Sequence, residues 1–129
     1  MLFVFFIKGI VVKGYKEFTS IQLCIHPVDF RKGIFSLSTA IQNEFDEAPF
    51  SGSLFLFTNK NKKNIRALYW DKTGFAMWCK ALEKHHFPWP KKSENKKLVL
   101  TQEQFNWLLS GIDPWKIKPH EELHYSIIV

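Results

Sequence analysis

The chain of 129 residues reads as one α+β domain, an antiparallel β-sheet with two main helices packed against it. Three observations predict this class. Ile21, Leu23 and Ile25 alternate with Gln22, Cys24 and His26, the period of a partly buried strand. Phe30, Ile34, Leu37, Ile41 and Phe45 fall on one helical stripe. Between Ser53 and Trp70, two aromatic-rich strands flank an Asn/Lys stretch that suits a turn and resists burial.

Composition supports a packed domain. Apolar residues make up 46%, including thirteen Phe and five Trp, which argues against disorder and suffices for a core without staples. Eighteen Lys/Arg against twelve Asp/Glu leave a formal charge of +6, a balance that favours an anionic partner such as nucleic acid. The two cysteines, Cys24 and Cys79, each sit in an apolar strand segment. They fit buried free thiols in a reducing cytoplasm better than a disulfide framework, although two cysteines could form one bridge. No Cys/His spacing suited to zinc occurs.

Residues 1–12 are apolar but interrupted by Lys8, too short to span a bilayer and without the basic start of a secretory signal. An added strand or an unstructured extension is expected there, with a membrane anchor the lesser alternative. Pro27 ends the first strand, and Asp29 can cap the helix that runs to Phe45. Residues 46–52, with Pro49 and Gly52, form the return turn into the hairpin. Asp71-Lys72-Thr73-Gly74 turns the chain again into a strand over 75–82, with Phe75, Met77, Cys79 and Ala81 on one face. Phe87-Pro88-Trp89-Pro90 cannot lie in a central strand, because proline lacks the ladder donor. The charged stretch 91–97 is expected as a hairpin tip before Leu98-Val99-Leu100. Thr101 and Gln104 match a capping box, opening a helix whose buried stripe is Phe105, Leu108, Leu109 and Ile112.

Cations gather in two motifs. Lys60, Lys62, Lys63 and Arg66 stand on the hairpin, a rigid base from which to meet phosphates. Arg31 and Lys32 stand at a helix start, where cations oppose the macrodipole and so do not serve local helix stability. Both side chains and free backbone N–H groups there could grip a phosphate. The plainer alternative has Asp29 capping the helix while Arg31 pairs with a carboxylate elsewhere. Lys80 completes the set of candidate DNA contacts.

Other chemistry is poorly supported. Asp29, Asp71 and Glu83 show no spacing that would converge them on two metal ions, and a cap and a turn explain the aspartates. Adjacent His85 and His86 would point to opposite faces of a strand. No nucleophile has an identifiable base partner, and no Gly-rich phosphate loop occurs. Trp70, Trp78, Phe87 and Trp89 could stack on bases, but core packing is the stronger expectation.

Several motifs occur together in order: Asp29-Phe30-Arg31-Lys32-Gly33, Pro49-Phe50-Ser51-Gly52 with Leu54-Phe55-Leu56-Phe57, Leu68-Tyr69-Trp70-Asp71 with Gly74-Phe75, Lys80-Ala81-Leu82-Glu83, Phe87-Pro88-Trp89-Pro90 and Leu108-Leu109-Ser110-Gly111-Ile112. This set resembles the TnpB-type accessory proteins encoded beside the transposase in the sixty-six family of bacterial insertion sequences. The likeness spans about Phe18 to Ile112, dividing the chain into an extension (1–16), an accessory domain (17–112) and a tail (113–129). Such proteins usually carry Met where Phe30 stands and Arg where Ala81 stands, the latter weakening Lys80 as part of a basic contact. The resemblance implies a cytoplasmic, non-enzymatic helper of DNA transposition without a cofactor or membrane. The expected partners are the transposase and other element-encoded proteins and, as a physical inference from the basic hairpin and Arg31-Lys32, element-end DNA. A transposase adaptor that touches no DNA is the alternative, and a metal-dependent nuclease the lesser one.

Overall fold

The structure is a computed structural model and describes residues 5–7, 10–12, 18–91 and 94–116. Two short strands near the start, β1 (Phe5–Ile7) and β2 (Ile10–Val12), pair antiparallel as a separate ribbon. The main sheet is built from β3 (Ile21–Cys24), β4 (Leu54–Thr58), β5 (Asn64–Asp71), β6 (Gly74–Ala81) and β7 (Lys97–Leu100), in the spatial order β6-β5-β4-β3-β7. Two helices, α1 (Ile34–Ala40) and α2 (Gln102–Leu109), complete a small α+β domain with a mostly antiparallel sheet.

One pairing departs from the antiparallel expectation: β3 and β4 run parallel, with Ile21 opposite Leu54 and Leu23 opposite Leu56. A helical crossover explains it. The chain leaves β3, passes through the helical segment and returns to the same end of the sheet, the connection that parallel neighbours require. The return begins beside Gly52, at φ +87°, where an added Cβ would lie 3.4 Å from the Thr19 side chain. Thr19 N–H donates to Gly52 O at 3.1 Å, and Leu54 N–H to Ser20 O at 2.9 Å, starting the parallel register.

The helical stripe forms as its spacing predicts, but not as one helix. Gly33, at φ +83°, separates a tight turn at Phe30–Lys32 from α1. After Ala40 the helix widens into i→i+5 turns over Ile41–Phe45 and stops at Asp46, whose φ of 51° is left-handed. Leu37, Ile41 and Phe45 are buried against Cys24, Phe55, Phe57 and Leu68, with Phe30 and Ile34 beside them.

The opposite sheet face holds the larger core. Ile21, Leu23, Leu54, Leu56, Ile65, Ala67, Tyr69 and Trp78 meet Phe87, Trp89, Phe105 and Leu108 there. With both faces covered, β3 is buried at all four positions rather than on alternate ones. The capping box of α2 is present: Gln104 N–H donates to Thr101 Oγ1 at 3.1 Å, and Thr101 N–H to Gln104 Oε1 at 2.9 Å. Ile112 is exposed, unlike the rest of the expected stripe, because α2 ends at Leu109 and Gly111 turns away at φ +81°.

The stretch 91–97 is not a hairpin tip. Residues beyond β6 instead cross the sheet end, so that β7 pairs with the far side of β3. Phe87 and Trp89 are buried along this crossing, and Trp89 Nε1–H donates to Cys24 O at 3.0 Å. Trp115 joins the same core and donates to Pro88 O at 2.6 Å. Of the expected tail, residues 117–129 lie outside the described residues.

Candidate nucleic-acid interface

The turn from β4 to β5 is closed locally. Lys62 N–H donates to Asn59 O at 3.0 Å, and Asn61 Oδ1 accepts from Lys63 N–H at 2.9 Å. Lys62 takes φ 59°, a left-handed conformation for a residue that bears a side chain. The crossing segment braces this turn from below: Phe87 N–H donates to Lys62 O and Leu82 N–H to Lys63 O, at 2.7 and 2.8 Å. His86 Nδ1 lies 2.5 Å from Asn61 O. The turn is therefore held through its backbone, the Asn61 side chain and the His86 ring, and none of these bonds uses a lysine side chain.

Asp29, Phe30 and Arg31 lie across from this turn. Between the two segments runs a groove of about 790 Å³, lined by Pro27, Val28, Asp29, Phe30 and Arg31 on one side and Asn59, Lys60 and Asn61 on the other. Two cationic motifs some thirty positions apart in sequence thus share one concavity. Arg66 links them. Its Nη1–H donates to Phe30 O at 2.9 Å, and its guanidinium sits 4.4 Å from the centre of the Phe30 ring. Asn59 forms part of the floor, and its buried side-chain Oδ1 has no hydrogen-bond partner among the described residues.

The predicted cations take different roles in this geometry. Lys60 is exposed at the groove rim, and Lys62 and Lys63 are half-buried behind it. Arg31 is exposed, yet it makes a bidentate pair with Asp29, its Nη2 at 2.9 Å from Oδ2 and Nε at 3.0 Å from Oδ1. Bonding to Asp29 raises the Arg31 pKa. Asp29 Oδ1 also accepts the Arg31 N–H at 2.9 Å, so this backbone donor is not free as the phosphate-grip expectation required. Arg31 pairs with the capping aspartate itself, not with a remote carboxylate. The Lys32 side chain lies outside the described residues. Lys80 is turned the other way: opposite Ile65 on the α2 side of the sheet, its Nζ donates to Leu109 O at 2.8 Å and closes the C-terminus of α2.

Other sites develop less chemistry. Cys24 is buried, and burial, followed by the charge of Glu44, pushes its thiol up to about 12. Cys79 is exposed on β6, against the expectation of two buried thiols, because β6 has no neighbour on its outer side among the described residues. Among the described residues, no three His, Cys, Asp or Glu side chains gather closely enough to hold a metal ion. No helix among them is long and apolar enough to cross a membrane.

Trp78, Phe87 and Trp89 are core, as expected. Trp70 is the exception. It is half-buried and lies edge-on to Phe50 and Phe75, with ring centres at 4.8 and 5.1 Å, and Phe50 is 59% exposed. Sequence reasoning offered Trp70 as a ring that could stack on bases but missed its meeting with Phe50 and Phe75, and it missed the groove residues Val28 and Asn59. Neither carries a local motif, and both depend on which segments the crossover brings together.

The family model described as IS66 Orf2 like protein matches residues 19–119. Uncharacterized protein y4jC of Sinorhizobium fredii (strain NBRC 101917 / NGR234) is 31% identical over 98 residues, covering 76% of this chain and 83% of the relative. Uncharacterized protein y4hO of the same strain is 31% identical over 88 residues, covering 68% of this chain and 75% of the relative. No solved structure matches the chain. With the family model spanning most of the described domain and its motifs seated on the groove, turn and core above, the chain belongs to the IS66 Orf2-like family of insertion-sequence accessory proteins.

Proposed function

We propose that this chain is a non-catalytic accessory protein of insertion-sequence transposition that acts in the cytoplasm by contacting DNA phosphates. Its working surface is the groove rim, with Arg31 and Lys60, and the hairpin turn, with Lys62 and Lys63; Lys32 is proposed with them from its place beside Arg31 in the sequence. Arg66 and Lys80 serve it indirectly, because each spends its charge on a backbone carbonyl, one joining turn to helix and the other ending α2. The observation that carries this reading is the meeting of Arg31 and Lys60 across one groove. Arg31 is already paired with Asp29, so Lys60 brings the charge at this groove that has no ion-pair partner among the described residues, and a phosphate backbone would supply one. The transposase or another element-encoded protein then supplies the chemistry.

A mobility-shift series in rising salt, with DNA from an element end, tests this. Affinity should fall steeply with salt. When Lys60, Lys62 and Lys63 become Ala, the slope should become shallower by about one for each phosphate left without its lysine. Absence of binding even at low salt would reject the DNA contact and leave the chain as a protein adaptor of the transposase. Mg²⁺-dependent cleavage of that DNA, abolished by Asp71→Asn, would instead make it a nuclease.

A further inference from the structure

Resting on the DNA-contact reading, we infer that the groove between Pro27–Arg31 and Asn59–Asn61 holds single-stranded DNA, with an unpaired base inside it and phosphates at its rim. Shape is the first argument. A duplex is read by a convex element entering its groove, whereas a concavity takes a base that has left the stack. The second is the lining. Pro27, Val28 and Phe30 offer apolar wall to a base or sugar, while Asn59 and Asn61 bring amides of the kind that pair with base edges. The Asn59 Oδ1 is buried and has no hydrogen-bond partner among the described residues, so the amide holds an unused acceptor that a base amino group would engage once the side chain turns into the groove. Charge is the third: Lys60 stands at the opening, across from Arg31 in its pair with Asp29, where the backbone of a strand threading the groove would pass.

A second platform lies on the same side of the sheet. Arg66 and Trp70 share one face of β5, four residues apart, a separation of about 13 Å at the usual strand rise. Trp70 with Phe50 and Phe75 offers ring surface there, within reach of a strand leaving the groove.

Fluorescence anisotropy with a labelled single-stranded oligonucleotide of about twelve nucleotides, the matching duplex and the matching RNA decides the matter at one fixed salt concentration. The single DNA strand should bind about tenfold or more tightly than the duplex, and at least as tightly as the RNA. Lys60→Glu, at an exposed position, should lower that affinity about tenfold with unchanged melting. Trp70→Ala should lower it by a similar factor and Trp70→Phe by less, since a ring remains. Equal or tighter duplex binding overturns the inference while leaving the DNA contact standing. Preference for RNA overturns the assignment to DNA. Binding of none of the three probes removes both readings. Single-strand binding indifferent to Lys60→Glu and both Trp70 variants overturns the proposed path.

Discussion

The two faces of the central sheet are covered by different means, and the difference locates the candidate site. On one face α2, Phe87, Trp89 and Trp115 close over Ile21, Leu23, Leu56 and Tyr69. Lys80 reaches this side too, and its ammonium is held by the end of α2. On the other face the segment from Phe30 to Phe45 covers the middle but stops short at both ends. The groove with Arg31 and Lys60 opens at one end, and Phe50, Trp70 and Phe75 at the other. One face is a finished core, and the other is a core with working margins. Positive charge alone does not mark a contact surface; what matters is whether folding has already assigned that charge a partner.

The contrast can be broken first by tryptophan. Trp89→Ala removes a buried ring and the bond to Cys24 O, and should cost about 3–5 kcal/mol in urea unfolding. Trp70→Ala, at the open margin, should cost about 1 kcal/mol, since only part of its surface is buried. Equal losses would mean that the second face is as closed as the first.

Arg66 sharpens the comparison. If its charge serves structure, Arg66→Ala should destabilise by about 1–3 kcal/mol, because the bond to Phe30 O and the stacking on the Phe30 ring both disappear. Lys60→Ala should leave stability unchanged within about 0.5 kcal/mol. Melting curves of the two variants, measured together, would contradict the division of roles if the order were reversed.

The smallest effect at neutral pH concerns the thiols. Cys79 should react with a thiol reagent in the folded protein, and Cys24 only on unfolding. Burial raises the folded Cys24 pKa from 9.0 to about 12, so the unfolded chain releases this proton first. That stability is therefore complete below pH 9 and is lost as pH rises towards 12. Urea midpoints at roughly pH 8 and roughly pH 10.5 should diverge in the wild type, and less so in Cys24→Ala. An identical drop in both would place the alkaline loss elsewhere.

The legible parts of the chain were those governed by neighbours in sequence. Helical spacing from Phe30 to Phe45, the Thr101–Gln104 box, the Asn/Lys turn and the Asp71–Gly74 turn each depend on contacts within a few residues, and each formed. The ordered motifs likewise marked the family from the sequence alone. What local pattern could not reach was pairing at long range. The parallel match of β3 with β4, the route of the chain to β7, the burial of Gln22 and the exposure of Cys79 all follow from which strands become neighbours. The sequence by itself determined that cations would stand on a rigid turn and beside a helix. Tertiary structure alone decided that Arg31 faces Lys60 across a groove, that Arg66 ties the two together, and that Lys80 belongs to the opposite face. The physical reason is that a side chain's free charge is defined by the carbonyls and rings the fold brings to it, and those come from distant parts of the chain.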